Sequence, residues 1–408
     1  MTDFALLRIR NRPVLTLSSL YHRLVLFLFA LFLVGGNFFR LFPLPPFPNH
    51  LSIVEIFLYA LVLPRYFTRL RKSHFFIVGI VFSSLYGTIL NGFDVTSVLY
   101  SAKLIAMIAT GVVIGDILFQ KFSPQQMMQY FIRIFVLIFL LGCGIFLFFP
   151  KAHIFFQFLD VYGVHFSGDP HQRRFISTFF DPNYYSAIAC IPLILSWHLR
   201  KYSLFFLFLG SIFLSFSRSG IATCGFLLFF MLLSQMLRLK TTPFRWKSLY
   251  LGLLLIIPFC YSKELLYFLR RSIGLWEDPS ALARLQNFQI GLSYFEQHPF
   301  FGIGYHYLSS RLFEDFGHLS LDSSLLITLT SFGWIPCLGL AIVGVVWSIK
   351  QLARPHSSLF IWLYIYVLVC ILFTSQFNNL LYFQYWLTPI ISLFTFMQKD
   401  KNEVRSRS

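Results

Sequence analysis

The chain has 408 residues, of which 57% are hydrophobic and only 12% are charged, whereas an average soluble domain has roughly 25% charged residues. This composition excludes an ordinary soluble globular domain and indicates an integral membrane protein. The formal net charge of +17 falls mostly between the apolar runs, so it indicates orientation in a membrane rather than binding to nucleic acid.

Apolar runs of about 16 to 22 residues recur along the chain, and a helix of that length crosses roughly 30 Å of hydrocarbon. We therefore predict an all-α, polytopic transmembrane bundle of about twelve spans in one membrane domain, residues 1–408. The predicted spans in chain order are 24–39, 51–66, 75–91, 96–119, 131–150, 183–199, 203–217, 219–237, 248–262, 321–349, 358–374 and 384–398. The first run lacks a small-residue cleavage site, so we expect it to stay as a helix.

The basic residues test this alternation, because Lys and Arg resist translocation across the membrane. With both termini cytoplasmic, 22 of the 33 Lys and Arg residues fall in cytoplasmic segments, ten fall outside, and Lys103 lies within the fourth span. The bias predicts a multi-pass protein with both termini in the cytoplasm. Lys103 is expected either to extend toward the membrane surface or to pair with a buried carbonyl group.

The ten outer basic residues are concentrated in a few places. Arg173 and Arg174 lie in a basic loop over 151–182, Arg218 lies between spans seven and eight, and a long loop of 58 residues over 263–320 carries five more. Basic residues on the disfavoured side of a membrane indicate an anionic ligand there. Contact with anionic lipid headgroups is the alternative explanation.

Arg218 stands in Ser217-Arg218-Ser219-Gly220 between two nearly continuous apolar runs. A membrane-embedded cation is unfavourable by at least about 2.5 to 3.5 kcal/mol near the bilayer centre, so such residues usually serve a site or a buried pair. Asp181-Pro182-Asn183 precedes span six, and its composition fits a helix start without requiring any catalytic role.

The long outer loop contains a predicted amphipathic helix over 279–297, starting after Asp278. Leu282, Leu285 and Leu292 belong to its apolar face, and Arg284 belongs to the other. The helix is predicted to lie along the membrane surface or to cap a cavity, with Arg284 near its first turns, where a phosphate is also favoured. A structural lid with a solvated Arg is the alternative. The segment Gly302-Ile303-Gly304 then turns the chain back toward span ten.

Two further residues near the start of span ten are candidate acid–base groups. Asp322 begins Asp322-Ser323-Ser324, and His318 precedes it by four residues. Helix capping and catalysis remain open for Asp322. The six cysteines are scattered without metal-type spacing, so we predict neither a metal site nor a disulfide framework.

These motifs resemble the O-antigen ligase and O-antigen polymerase superfamily. The resemblance covers roughly residues 170 to 340, in the order in which the motifs occur along the chain. The segments that carry it are Thr178–Asn183, Ser217–Gly220, Arg284 through His298-Pro299-Phe300-Phe301-Gly302-Ile303-Gly304, and His318 to Gly333.

The resemblance implies a metal-independent, inverting glycosyltransferase without a cofactor, whose donor is a glycan on undecaprenyl pyrophosphate. It implies that Arg218 and Arg284 hold the pyrophosphate, and we assign the same role to the basic neighbours Arg173 and Arg174. Guanidinium groups suit this role because they make paired, charge-assisted hydrogen bonds. A general base then takes the proton of an acceptor hydroxyl, and the matching position holds Asp322, with His318 one turn earlier.

Asp-Ser-Ser at this position is more similar to polymerases than to ligases of the superfamily, so we expect polymerisation of lipid-linked repeat units at the periplasmic face of a bacterial inner membrane. Ligation to lipid A core or another acceptor is the alternative, because His318 suits that reaction. A flippase for lipid-linked oligosaccharides is the alternative from another class, although its charges are expected inside the spans. The expected partners are the lipid-linked glycan, an acceptor glycan or lipid A core, the bilayer and envelope polysaccharide assembly proteins.

Overall fold

The computed structural model describes residues 17–41, 51–68, 74–149, 174–237, 279–305, 307–308, 311–312, 321–352 and 358–405. Within these ranges the chain forms thirteen α-helices and no β-strand, which confirms the predicted all-α class. The helices are α1 Leu17–Gly35, α2 Ile53–Phe67, α3 His74–Asn91, α4 Val95–Lys121, α5 Pro124–Phe148, α6 Pro182–His198, α7 Tyr202–Leu214, α8 Arg218–Leu237, α9 Pro279–Gln297, α10 Ser324–Phe332, α11 Trp334–Leu352, α12 Ser358–Leu372 and α13 Gln384–Arg405.

Five segments are long and apolar enough to cross a membrane by length and composition. They are Ser18–Phe39, His74–Asn91, Val95–Lys121, Pro124–Phe148 and Ser358–Gln376, and α7, α11 and the first part of α8 are shorter apolar helices. The count of about twelve spans stays a prediction. The predicted span 248–262 lies outside the described residues. So do residues 150–173, 306, 309–310 and 313–320.

The helices α4 and α6 form the centre of the bundle. Of the five long apolar segments, α4 is the most buried, and it runs along α13, with Gly111 against Ile391 and Gly115 against Thr395. Near the middle of the chain, α6 packs against α5, α7, α8 and α12. By contrast, α3 and α11 expose much of their apolar surface, as expected of helices that face lipid.

The predicted span 321–349 is wrong in one respect, because the structure divides it into α10 and α11 at Gly333. The segment 299–304 fills the break. Its N–H groups at Ile303 and Gly304 donate to the carbonyls of Thr330 and Ser331, at 2.9 and 3.0 Å. Its carbonyls at 299 and 300 accept from the first two N–H groups of α11, at 2.8 and 3.2 Å.

This arrangement explains why the second glycine of the turn is needed. Both ends of a broken helix leave backbone groups without intrahelical partners, and a chain that reaches them must approach very closely. Gly304 has a φ of +97°, and a Cβ there would overlap the Cα of Gly87 in α3. The expected turn at Gly302-Ile303-Gly304 is therefore confirmed, and it also satisfies the polar backbone of both helix ends.

Lys103 forms a buried ion pair, so the expectation that it pairs with a carbonyl group or reaches the membrane surface is corrected. Its Nζ lies 3.6 Å from Oε1 of Glu55 in α2, and the two side chains are 9% and 0% exposed. Oε2 of Glu55 accepts from the backbone N–H of Ser52 in a capping box at the start of α2. The pair therefore joins the first turn of α2 to α4.

Removing only one charge of this pair should destabilise the protein strongly. Lys103→Met leaves a buried carboxylate without its cation, which typically lowers the free energy of unfolding by about 3 to 5 kcal/mol. Adding Glu55→Gln to that variant should recover much of the loss, because Gln stays neutral and still accepts from Ser52. Thermal unfolding of the single and the double variant in detergent measures these changes. A double variant as unstable as Lys103→Met would contradict the role given to the buried ion pair.

Candidate functional site

The helices α6, α8 and α10 begin at the same end of the bundle, here called the site face. Hydrogen bonds join the three starts: Ser217, before α8, bonds to Asn183 in α6, and Asn378 bonds to both Ser219 in α8 and Ser324 in α10. Each helix start carries partial positive charge from its first N–H groups, which favours anions nearby. The site face therefore combines three helix N-termini with Arg218.

The start of α6 is built as the sequence predicts. Asp181 caps the helix by accepting from the N–H groups of Asn183 and Tyr184, at 2.6 and 3.0 Å. Asn183 in turn accepts at Oδ1 from the hydroxyl of Ser217, at 2.8 Å. The cap explains Asp181 fully, and its neighbour Asn183 connects α6 to the residue before Arg218.

Arg218 is the first residue of α8, directly after a tight turn. Phe216 in that turn has a φ of +47°, a left-handed conformation that is unfavourable for a side chain of this size. Ser217 closes the turn, because its hydroxyl accepts from the N–H of Gly220 at 3.1 Å. The Arg218 side chain is half-buried at the site face.

Arg174 holds the other side of this turn. Its Nε donates to the carbonyl of Ser215 at 2.9 Å, and one terminal nitrogen donates to the carbonyl of Phe216 at 3.2 Å. These bonds compensate for the left-handed conformation and satisfy carbonyls at the end of α7. Arg174 thus lies beside the backbone that leads into Arg218, while its assigned part in pyrophosphate binding stays a prediction.

Asp322 and Arg284 are described in the structure, whereas Arg173 and His318 lie outside the described residues. Asp322 is exposed and directly precedes Ser323, whose hydroxyl accepts from the N–H of Leu326 and caps α10. Ser323 rather than Asp322 is therefore the capping residue. The capping explanation for Asp322 is removed, and its side chain stands at the site face.

The predicted helix over 279–297 is confirmed as α9, with the predicted bounds. Its leucines at 282, 285 and 292 are 45%, 50% and 45% exposed. Gly291 lies on the opposite side against Leu326 and Leu321. Because Arg284 precedes Gly291 by about two helical turns, it shares the inward side of α9, and it is half-buried.

The outward leucines are what a helix lying on a membrane surface presents to lipid, whereas Arg284 faces the protein. The Nε atom of Arg284 is shielded from solvent. A cation held in this way acts in a lower effective dielectric than in water, so it attracts an anion more strongly. Since α9 packs on α10, Arg284 belongs to the same end of the bundle as Asp322.

Reasoning from sequence missed the residues that join these helices, above all Asn378. Its side-chain nitrogen donates to the hydroxyl of Ser219 at 2.9 Å, and its main-chain carbonyl accepts from the hydroxyl of Ser324 at 3.0 Å. The only signal in the sequence was the polar pair Asn378-Asn379 between two apolar runs. Across the described ranges, no group of three or more His, Cys, Asp or Glu side chains is arranged to hold a metal ion.

The described residues are helical apart from turns, and five segments are long and apolar enough to cross a membrane, which indicates a multi-pass membrane protein. Residues 203–323 match the family described as O-antigen ligase. The match confirms the predicted resemblance over a segment that contains Arg218, Arg284, His318 and Asp322. It implies activity of the O-antigen ligase or polymerase type and a lipid-linked glycan as substrate. No curated protein and no solved structure matches the chain.

Gly220 should be required for the contact between α6 and α8. A Cβ at this position would overlap the side chain of Ser186, whereas Gly225, five residues further along α8, has nothing within 4 Å. Gly220→Ala should therefore lower the free energy of unfolding by about 1 to 3 kcal/mol. Gly225→Ala should leave it unchanged or raise it by up to about 1 kcal/mol, because Ala favours helix.

Thermal unfolding of both variants in the same detergent tests this expectation. Equal stability of the two alanine variants would contradict the close approach of α6 and α8 at the site face.

Proposed function

We propose that this protein is a glycosyltransferase that joins glycans carried on a polyprenyl pyrophosphate, with its site face toward the periplasm of a bacterial inner membrane. The observation that carries the proposal is the placement of Arg218 at the start of α8, at the end of the bundle where α6 and α10 also begin. An arginine beside several helix N-termini suits a diphosphate, which needs hydrogen-bond donors and compensating positive charge.

In this proposal the guanidinium groups stabilise the leaving group. Transfer of the glycan breaks the bond between its anomeric carbon and the pyrophosphate oxygen, and negative charge develops on that oxygen. Arg218 and Arg284 donate hydrogen bonds to the pyrophosphate as this charge increases. Arg174, already bonded to the turn before Arg218, contributes positive charge nearby, and Arg173 is its neighbour in sequence.

The acceptor must lose a proton as it attacks. A hydroxyl of the acceptor sugar forms the new bond to the anomeric carbon, and a general base takes the hydroxyl proton. Asp322 is suited to this role, because it is exposed at the site face and does not cap α10. His318, four residues earlier, is the second candidate for the base. Neither role requires a metal or cofactor.

Within this chemistry we favour polymerisation of repeat units, because Asp-Ser-Ser at the start of α10 resembles polymerases. Ligation to lipid A core or another acceptor is the second candidate, and the description of the matching family favours it. A flippase is supported by one observation, the interrupted helix at Gly333, because discontinuous helices often line transport sites. Protein backbone from 299–304 fills that interruption, which argues for a structural role.

Arg218→Ala and Arg284→Ala should each abolish surface glycan assembly while the protein remains abundant in the membrane. Lys at either position should restore little, because an ammonium group cannot make the paired hydrogen bonds of a guanidinium. The measurement is the pattern of surface glycan by gel electrophoresis in a deletion strain carrying each variant. Arg133→Ala is the matched control, since Arg133 is an exposed residue within α5 and its loss should leave the pattern unchanged. Normal glycan in an abundant Arg218→Ala strain would refute the assigned role.

The deletion strain itself separates the candidate reactions. Loss of a polymerase should leave lipid A core that carries one repeat unit, whereas loss of a ligase should leave full-length chains on the carrier lipid. Loss of a flippase should leave single repeat units on the carrier lipid in the cytoplasmic leaflet, inaccessible to periplasmic enzymes. Unchanged surface and lipid-linked glycans would exclude all three functions.

A further inference from the structure

We infer that Asn378, in the connection between α12 and α13, is a positioning residue of the proposed glycosyl transfer. It holds the start of α8, which carries Arg218, against the start of α10, which follows Asp322. The inference rests on the function proposed above and adds a residue outside the segment matched by the family, 203–323. Asn378 is 7% exposed.

Asn378 contacts the two helices with different parts of the residue. Its side-chain nitrogen donates to the hydroxyl of Ser219, directly after Arg218, at 2.9 Å. Its main-chain carbonyl accepts from the N–H and the hydroxyl of Ser324, at 3.3 and 3.0 Å. One residue therefore connects α8 and α10 through two hydrogen-bonded steps.

The connection continues on both sides, which makes it more rigid than a single bond. On the α8 side, the hydroxyls of Ser219 and Ser217 lie 3.3 Å apart, and Ser217 donates to Asn183 in α6. On the α10 side, the Ser324 hydroxyl also accepts from the N–H of Leu381 at 3.0 Å. Buried hydrogen-bonded networks of this kind specify one arrangement of their members.

This arrangement matters for the reaction because the leaving group and the acceptor are held by different helices. Arg218 on α8 contacts the pyrophosphate in the proposed mechanism, and Asp322 beside α10 contacts the acceptor hydroxyl. A misplacement of about 1 Å between reacting groups can lower a rate by about a hundredfold. Loosening α8 relative to α10 should thus slow the chemical step more than it weakens donor binding.

The test uses full-length protein in detergent and the glycolipid fraction extracted from the deletion strain as donor. Asn378→Ala removes the bond to Ser219 and leaves the main-chain contacts with Ser324. Ser219→Ala removes the same bond from the other side and serves if Asn378→Ala does not fold. We expect each variant to lower kcat about tenfold or more, while KM for the donor changes less than about threefold. The double variant should lose little more than Ser219→Ala alone, because both single variants remove the bond between Asn378 and Ser219, and Ser219→Ala also removes the contact with Ser217.

Thr223→Val is the matched control. Thr223 lies in α8, one helical turn after Ser219, and hydrogen-bonds to Thr374. Like Ser219, it therefore joins α8 to the connection between α12 and α13. It takes no part in the link to α10, and Val has nearly the same shape. Its kcat should stay within about threefold of the wild type, and its melting temperature shows whether general loosening has occurred.

Three results would overturn the inference: wild-type kcat in Asn378→Ala, an equal loss of kcat in Thr223→Val, or a rise in KM with kcat unchanged. Failure of the proposed function is a different result. If wild-type protein does not consume the glycolipid, or if Arg218→Ala remains fully active, the glycosyl transfer assignment fails first. If Arg218→Ala is inactive while Asn378→Ala is not, only the positioning role is lost.

Discussion

Polar backbone at the ends of helices must be satisfied inside an apolar bundle, and much of this structure depends on that constraint. Each helix leaves unpaired N–H groups at its start and carbonyls at its end, and lipid offers neither donors nor acceptors. Where α6, α8 and α10 begin, side chains supply the partners: Asp181, Ser217 and Ser323 each accept from the first turn of the helix that follows. Neighbouring polar residues then join these starts: Ser217 donates to Asn183 in α6, and Asn378 bonds to Ser219 in α8 and to Ser324 in α10.

The break between α10 and α11 satisfies the same constraint with backbone instead of side chains. The chain after α9 donates to the end of α10 and accepts from the start of α11. This contact also determines where α9 lies, because α9 precedes the inserted segment by only a few residues. With α9 held against α10, its leucines face outward and Arg284 faces the protein. The orientation of a proposed phosphate-binding residue thus depends on backbone hydrogen bonds some distance away.

Arg174 illustrates how a structural role and a proposed functional role can coincide. Its guanidinium supports the left-handed turn at Phe216, and that turn sets the position of the first residue of α8. A guanidinium has five N–H donors in a fixed fork, and two of the bonds that Arg174 makes go to the carbonyls of Ser215 and Phe216. Substitution at this position is therefore expected to disturb Arg218 indirectly as well as to remove a charge. Arg218 and Arg284 give a cleaner test of pyrophosphate binding for that reason.

The sequence by itself determined the all-α class, the bounds of α9, the cap at Asp181 and the motifs of the matched segment, because these depend on local composition and helical periodicity. Only the tertiary structure decided which face of α9 points inward, where the span containing α10 is broken, and that Lys103 pairs with Glu55. It also decided that Asn378 joins α8 to α10, across 159 residues of chain from Ser219. Such partners are distant in sequence and are selected by burial, since a buried polar group must find a bond wherever the packing provides one.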